Sequence, residues 1–425
     1  MVCTLVPASF VILGIFTLGY LAIIAEHSIQ INKTAVALCV AAISWGVYFL
    51  CGEGLLADHM EQLGKHLSEI AAIVFFLMGA MTIVELIDVH GGFKVITDLV
   101  HTSSNRVLFL LVAVISFFLS AVLDNLTTTI LMLSLLRKLI PEKHSRFLFS
   151  CIVVVAANAG GAWTPIGDVT TTMLWIHGQI SSLGVMKALF LPSLVSLAVP
   201  VIFYMKQLGK ERICAKVDSA PCAKQVGSRL IFVLGILSLV SIPFLKAVIG
   251  LPPFMGALLG VGVLWMVTDF MHRGWEDRVH LKVPHVLSKI DSSSVLFFLG
   301  ILLCVDALEE SGILGHFARL LNAHIGSEAL IATFIGIISA IIDNVPLVAA
   351  TIGMYPLNLY PMDHTLWHMI AYTAGTGGSL LIIGSAAGVA MMGIEKVNFF
   401  SYLKKMTLPV FVGYLAGMAV YLLCT

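Results

Sequence analysis

Twelve apolar runs divide this chain, and four of them are too long for one straight membrane-crossing helix yet interrupted at their middles by polar residues, glycine or proline. The runs fall at 4–25, 33–51, 69–88, 106–140, 146–177, 183–205, 229–249, 251–268, 292–311, 328–360, 366–393 and 406–424. A spanning helix needs about 20 apolar residues. Irregular backbone at membrane depth is tolerated only where it packs in protein or lines a cavity. The four interrupted runs, 106–140, 146–177, 328–360 and 366–393, are therefore where function is to be sought.

Composition agrees. Only 11% of the 425 residues are charged and 59% are hydrophobic, whereas about a quarter of a soluble domain carries charge. A net charge of zero gives no electrostatic case for a nucleic-acid partner. The length has room for roughly ten to twelve membrane segments. The eight cysteines are scattered without a Cys-x-x-Cys pair, so neither a disulfide framework nor a zinc site is expected. The apolar run 4–25 exceeds a signal-peptide core and reads as a retained first span.

The chain repeats itself. Gly79, Glu85 and Gly91 recur as Gly300, Asp306 and Gly312 at a shift of 221; Ser120-Ala-Val-Leu-Asp124-Asn125 recurs as Ser339-Ala-Ile-Ile-Asp343-Asn344 at 219; Gly160-Gly161 with Gly167 recurs as Gly377-Gly378 with Gly384 at 217. Such order and spacing mark two homologous halves, 1–228 and 229–425. If 106–140 and 328–360 are re-entrant hairpins, each half has five spans plus one hairpin, and the odd number inverts the second half. The expected fold is thus an all-α polytopic membrane protein of two inverted-topology repeats. The first holds a cytoplasmic hairpin (106–140) and a broken helix (146–177); the second holds an external hairpin (328–360) and a broken helix (366–393). On that topology only Lys65, Lys187, Lys246 and Arg319 of the 24 basic residues lie outside, leaving 20, including Lys33, on the cytoplasmic side, as the positive-inside rule requires. Each hairpin, at about 35 residues, is shorter than two full spans need. Both termini are expected outside.

The hairpin middles carry Asp124-Asn125-Leu-Thr-Thr and Asp343-Asn344-Val-Pro. There one half-helix ends in free carbonyls and the next begins with free amides, so oxygen ligands and a helix dipole meet at mid-membrane. Capping alone would account for Asn or Thr. It does not account for a carboxylate in both halves, because a buried charge is expensive where a neutral cap would serve. The broken helix of the first half contains Asn158-Ala-Gly-Gly-Ala-Trp-Thr-Pro-Ile-Gly-Asp168-Val-Thr170-Thr171, and its counterpart runs from Thr373 through Ser379 to Ser385. Tight packing by small residues explains part of both. Asp168 has Ser385 as its repeat equivalent, so the half-sites differ chemically. Three carboxylates, Asp124, Asp168 and Asp343, among Asn and Thr oxygens describe a site for a hard cation. Glu85 and Asp306 occupy matching positions and either form a proton route or reach interfacial water. The histidines at span ends, such as His90, His177, His272, His280 and His285, read as solvated loop residues, although a pH-sensing role is chemically open to them. No metalloprotease helix, nucleophile elbow or phosphate-binding loop is present. Energy should come from ion gradients, without a cofactor beyond the transported ions.

These motifs resemble the NhaD-type sodium/proton antiporters of the ion-transporter superfamily, over about 71–393. The superfamily also contains arsenite and di- or tricarboxylate carriers, the alternative reading. Carboxylate carriers coupled to sodium typically place Ser-Asn-Thr at the hairpin tips, where this chain has Asp. The resemblance implies ion-binding or relay roles for Asp124, Asn158, Asp168, Thr170, Thr171, Ser339 and Asn344 and, more loosely, Asp343, Ser379 and Ser385. It further implies exchange of Na+ or Li+ for H+, a bacterial cytoplasmic membrane and a homodimer. The expected mechanism is competition: desolvation favours the protonated form of a carboxylic acid, sodium requires the ionised form, and alternating exposure of one shared site yields antiport.

Overall fold

The computed structural model describes residues 7–52, 55–94, 104–140, 142–208 and 227–425, and every regular element among them is a helix. Lys210, Arg212, Lys216 and Lys224, counted above on the cytoplasmic side, and Cys3, Cys214 and Cys222 lie outside the described residues. The first half contains α1 (Ala8–Ile24), α2 (Glu26–Ile29), α3 (Lys33–Cys51), α4 (Leu56–Val89), α5 (Asn105–Ser120), α6 (Asn125–Leu139), α7 (Lys143–Ala162), α8 (Val169–Ile176) and α9 (Ser182–Gln207). The second contains α10 (Ser228–Ile249), α11 (Pro253–Met271), α12 (Val283–Leu287), α13 (Ser292–Glu310), α14 (Ile313–His324), α15 (Glu328–Ile338), α16 (Asn344–Met354), α17 (Thr365–Gly377), α18 (Ala386–Glu395), α19 (Phe399–Lys405) and α20 (Thr407–Cys424). Eight of them, α3, α4, α7, α9, α10, α11, α13 and α20, are long and apolar enough to cross a membrane. Large apolar side chains such as Leu50, Phe270 and Leu423 point outward, a surface suited to hydrocarbon rather than water.

All four interrupted runs break where polar residues interrupt them. The run 106–140 becomes α5 and α6, 328–360 becomes α15 and α16, 146–177 becomes α7 and α8, and 366–393 becomes α17 and α18. At each break an Asp or Ser competes for the backbone amides of the next turn and starts a new helix as its N-cap. The same order of paired helices thus occurs in each half.

Two groups of helices pack around this plan. In one, α3 lies on α1 and α13, and α4 on α10, α11 and α13. In the other, α7 is surrounded by α5, α6, α9, α17 and α18, and α17 by α15, α16, α9 and α20. Glycine makes these crossings close: a Cβ on Gly160 would lie 2.8 Å from the Phe117 carbonyl carbon, and one on Gly377 would lie 2.8 Å from that of Gly336. Beside these crossings Ser120 donates to the Ala157 carbonyl at 2.6 Å, and Ser339 to the Ala374 carbonyl at 3.1 Å.

Three expectations are corrected. First, α4 begins at Leu56, not near residue 69. Its polar first turns hold because Gln62 accepts from the Tyr48 hydroxyl at 3.0 Å and because His66 is buried beside Trp45; an apolarity criterion cannot see such support. Second, His90 and His272 are not solvated: both are fully buried, with their Nε2 atoms 3.1 Å apart where α4 meets α11. Third, Cys51, the last residue of α3, is disulfide-bonded. It sits where α3 leaves its apolar stretch, not within it.

Candidate functional site

Four short helices begin at one place. Asp124 is the N-cap of α6, Asp168 of α8, Asp343 of α16 and Ser385 of α18. Asp124 accepts the Thr127 amide at 2.8 Å and the Thr127 hydroxyl at 2.6 Å. Asp168 accepts the Thr170 amide at 2.9 Å and the Thr170 hydroxyl at 2.7 Å. Asp343 accepts the Val345 amide at 3.3 Å, and Ser385 the Gly388 amide at 3.2 Å. Each helix directs the positive end of its dipole at its own cap, which stabilises a carboxylate there.

Two amide side chains link two of these caps, Asp168 and Ser385, across the halves. Asn125 uses one NH2 group to reach Asp168 Oδ2 at 2.7 Å and Asn158 Oδ1 at 3.1 Å. The NH2 group of Asn158 reaches Ser379 Oγ and Ser385 Oγ, both at 2.8 Å. Asn158 is fully buried and Asp168 is 1% exposed. Asp168 thus receives three donors, while a carboxylate has about four acceptor positions. One position remains for a further ligand. Replacing Asn158 by Leu would strand the Ser379 hydroxyl and take one hydrogen bond each from Asn125 and Ser385, all in a buried setting. Each orphaned group costs about 1–3 kcal/mol, so the detergent-purified variant is expected to melt several degrees below wild type in a thermal unfolding assay.

Asp124, Asn125, Asp168, Asp343 and Asn344 line a single cavity whose apolar wall includes Phe76 and Phe297, residues at matched repeat positions. Among the described residues no three His, Cys, Asp or Glu side chains gather as a metal-ligand cluster; each acid is held back on its own helix end. Ser339 lies instead on the α15–α17 seam, donating to a backbone carbonyl. The Thr171 hydroxyl is buried with no hydrogen-bond partner. Glu85 lines a second cavity with Asp88, Lys94, Lys138, Lys289 and Asp291, which shares Met81, Val84, Leu126 and Thr127 with the first. Asp306 lines a third, with His66 Nδ1 at 3.4 Å from its carboxylate and Glu69 and Glu309 nearby.

Two residues of the cavity were not singled out from sequence. Thr127 holds Asp124, and its signal was its place in the Asp-Asn-Leu-Thr tip. Lys33, the first residue of α3, places Nζ 3.9 Å from Asp343 Oδ2 and 4.4 Å from the Phe297 ring centroid. By sequence it reads only as an orientation charge, and nothing adjacent marks it as more.

A multi-helix membrane protein with carboxylates held at broken helix ends inside the bundle has the build of a transporter. The citrate transporter (CitMHS) family model matches residues 18–370. Sodium/proton antiporter 1 of Arabidopsis thaliana is 52% identical over 415 residues, 96% of this chain and 71% of that protein; sodium/proton antiporter 2 of the same plant is 49% identical over 414 residues, 96% of this chain and 98% of that protein. The Na(+)/H(+) antiporter NhaD of Alkalimonas amylolytica is 32% identical over 447 residues, 97% of this chain and 90% of that protein. The chain belongs to the citrate transporter family and, within it, to the NhaD-type antiporters. It is a transporter and not an enzyme.

Proposed function

We propose that this protein exchanges Na+ or Li+ for H+ across its membrane, with one site holding either the metal cation or the proton. The observation that carries this reading is the cavity at the four helix ends. Asp124, Asp168 and Asp343 line it, Asn125 and Asn158 tie Asp168 to Ser385 of the other half, and Asp168 keeps an acceptor position open. Dehydrated Na+ is satisfied by such oxygens, and its charge by ionised carboxylates. A proton satisfies the same carboxylates and removes their charge, so either occupant excludes the other.

The family model is named for citrate, and a tricarboxylate is the competing substrate. Lys33 is the only basic residue described along this cavity, and Asp343 already faces it. Three carboxylates of substrate would meet three of protein with no cation to spare. This disfavours the anion by several kcal/mol at an effective dielectric of about 20.

Access on the proposed topology runs through the cavity of Glu85 and Asp88, on the side of Lys94, Lys138 and Lys289, the basic, cytoplasmic side. Glu85 then serves as a proton relay into the site, and Asp306 as its counterpart toward the other side. Inversion of the two halves makes the opposite opening available to the same site, and movement between the two arrangements gives alternating access. The resemblance adds a homodimer in a cytoplasmic membrane to the proposal. In proteoliposomes enclosing a pH dye, an imposed Na+ or Li+ gradient is expected to drive counterflow of protons, with no uptake of labelled citrate. Accumulation of citrate without cation-driven proton movement would overturn the proposal.

A further inference from the structure

Far from the cavity, a buried carboxylate joins the two halves a second time. Glu395 ends α18 and is 7% exposed, deep enough that an unpaired charge there would be costly. Its Oε1 accepts Arg137 Nε at 2.9 Å, and its Oε2 accepts Arg146 Nε at 2.9 Å and Nη2 at 2.8 Å. Arg137 lies in the last turn of α6, and Arg146 in the first turn of α7. The two guanidinium groups also cap helix ends: Arg137 donates to the Ile394 carbonyl of α18, and Arg146 to the Ile140 carbonyl just beyond α6 at 2.6 Å.

The placement matters because α6 and α18 pack against each other with both N-termini at the site. Parallel neighbouring helices bring like dipole ends together and repel. Cations over both C-termini, bridged by one carboxylate, oppose that repulsion. At 1.5 Å per residue the bridge lies about 15–20 Å from the caps Ser385 and Asp124. A stiff helix fixed at its far end has its near end fixed too. A related tie joins the connection between α8 and α9 to the connection just before α17. There Asp363 accepts the Ser181 amide at 2.7 Å and donates its own amide to the Gln179 carbonyl at 2.8 Å. The segment that follows the first half's broken helix is thus also tied to the second half.

We propose that Glu395, with Arg137 and Arg146, is a positioning residue for the exchange reaction, holding the caps Asp124 and Ser385 at the relative height that makes the cation site. This rests on the proposed function. Glu395 touches no ion; it acts by fixing α6 against α18.

Arg137 is the member open to mild perturbation, since its side chain is 49% exposed. In proteoliposomes, Arg137→Gln is expected to raise the KM for Na+ several-fold with the maximal rate within about twofold, and Arg137→Lys to restore most of it. Glu395→Gln should raise KM about tenfold, because sub-ångström misplacement of a binding group is costly. A second readout needs no transport: Ala386→Cys places a thiol in the cavity beside Ser385. Its alkylation, followed by mass spectrometry, should be several-fold faster when Arg137→Gln is added. Wild-type KM and wild-type labelling in folded Arg137→Gln would overturn the proposal, whether or not Glu395→Gln folds. If wild-type protein exchanges no cation, the functional reading fails, and the labelling rate still decides whether the clamp holds the tip.

Discussion

Replacing Asp168 by Asn is expected to abolish cation-driven proton movement while leaving the protein folded. The substitution keeps the shape and leaves an oxygen to cap the Thr170 amide. It removes the charge a cation needs and turns one oxygen into an NH2 group facing the NH2 of Asn125, which lies 2.7 Å from Asp168 Oδ2. A carboxylate and a monovalent cation about 4 Å apart at an effective dielectric of about 20 attract by roughly 4 kcal/mol, and that corresponds to about a thousandfold in affinity. The variant can also carry no proton at this position. Asp343→Asn should cost less, because the Asp343 charge is already met by Lys33 at 3.9 Å. Initial rates of dye response in proteoliposomes, normalised to folded protein, test both. Near wild-type exchange by Asp168→Asn would remove that residue from the site.

Gly160→Val should have the largest effect on folding. The new Cβ would lie 2.8 Å from a backbone carbonyl carbon of α5, and backbone cannot swing aside as a side chain can. Overpacking costs about 1–3 kcal/mol where neighbours can shift, and more where two helices must separate. The expected outcome is loss of the folded peak in gel filtration from detergent extracts. Gly377→Val, at the matched position against Gly336, should behave alike. Gly46→Ala, where an added Cβ meets nothing within 4 Å, should leave the peak unchanged.

Residue order carried much of this molecule in plain view. The helix Lys33–Cys51 has the limits of its apolar run, and α10, α13 and α20 match theirs within a residue or two. The breaks were legible because Asp, Asn, Gly and Pro cannot continue an apolar helix without reason. Asp124, Asp168 and Asp343 could be singled out because charge inside an apolar run is costly. What lay beyond reach depends on residues distant in sequence. Lys33 acquires its role only beside Asp343, and Glu395 beside Arg137 and Arg146. His90 is withdrawn from water where α11 brings His272 against it. Ser339 shows the opposite limit: its repeat position marks it out, but its hydroxyl is turned to the α17 backbone.

On the proposed mechanism sodium and a proton compete for one carboxylate site. This competition is tested most directly by adding Na+ to weakly buffered, detergent-purified protein and counting the protons released with a pH dye. Competition predicts proton release that Asp168→Asn abolishes. It also predicts that the apparent Na+ affinity weakens by up to about tenfold for each unit the pH is lowered, because a protonated carboxyl must lose its proton before the cation binds. Sodium binding with no proton released and with the same affinity at every pH would contradict it.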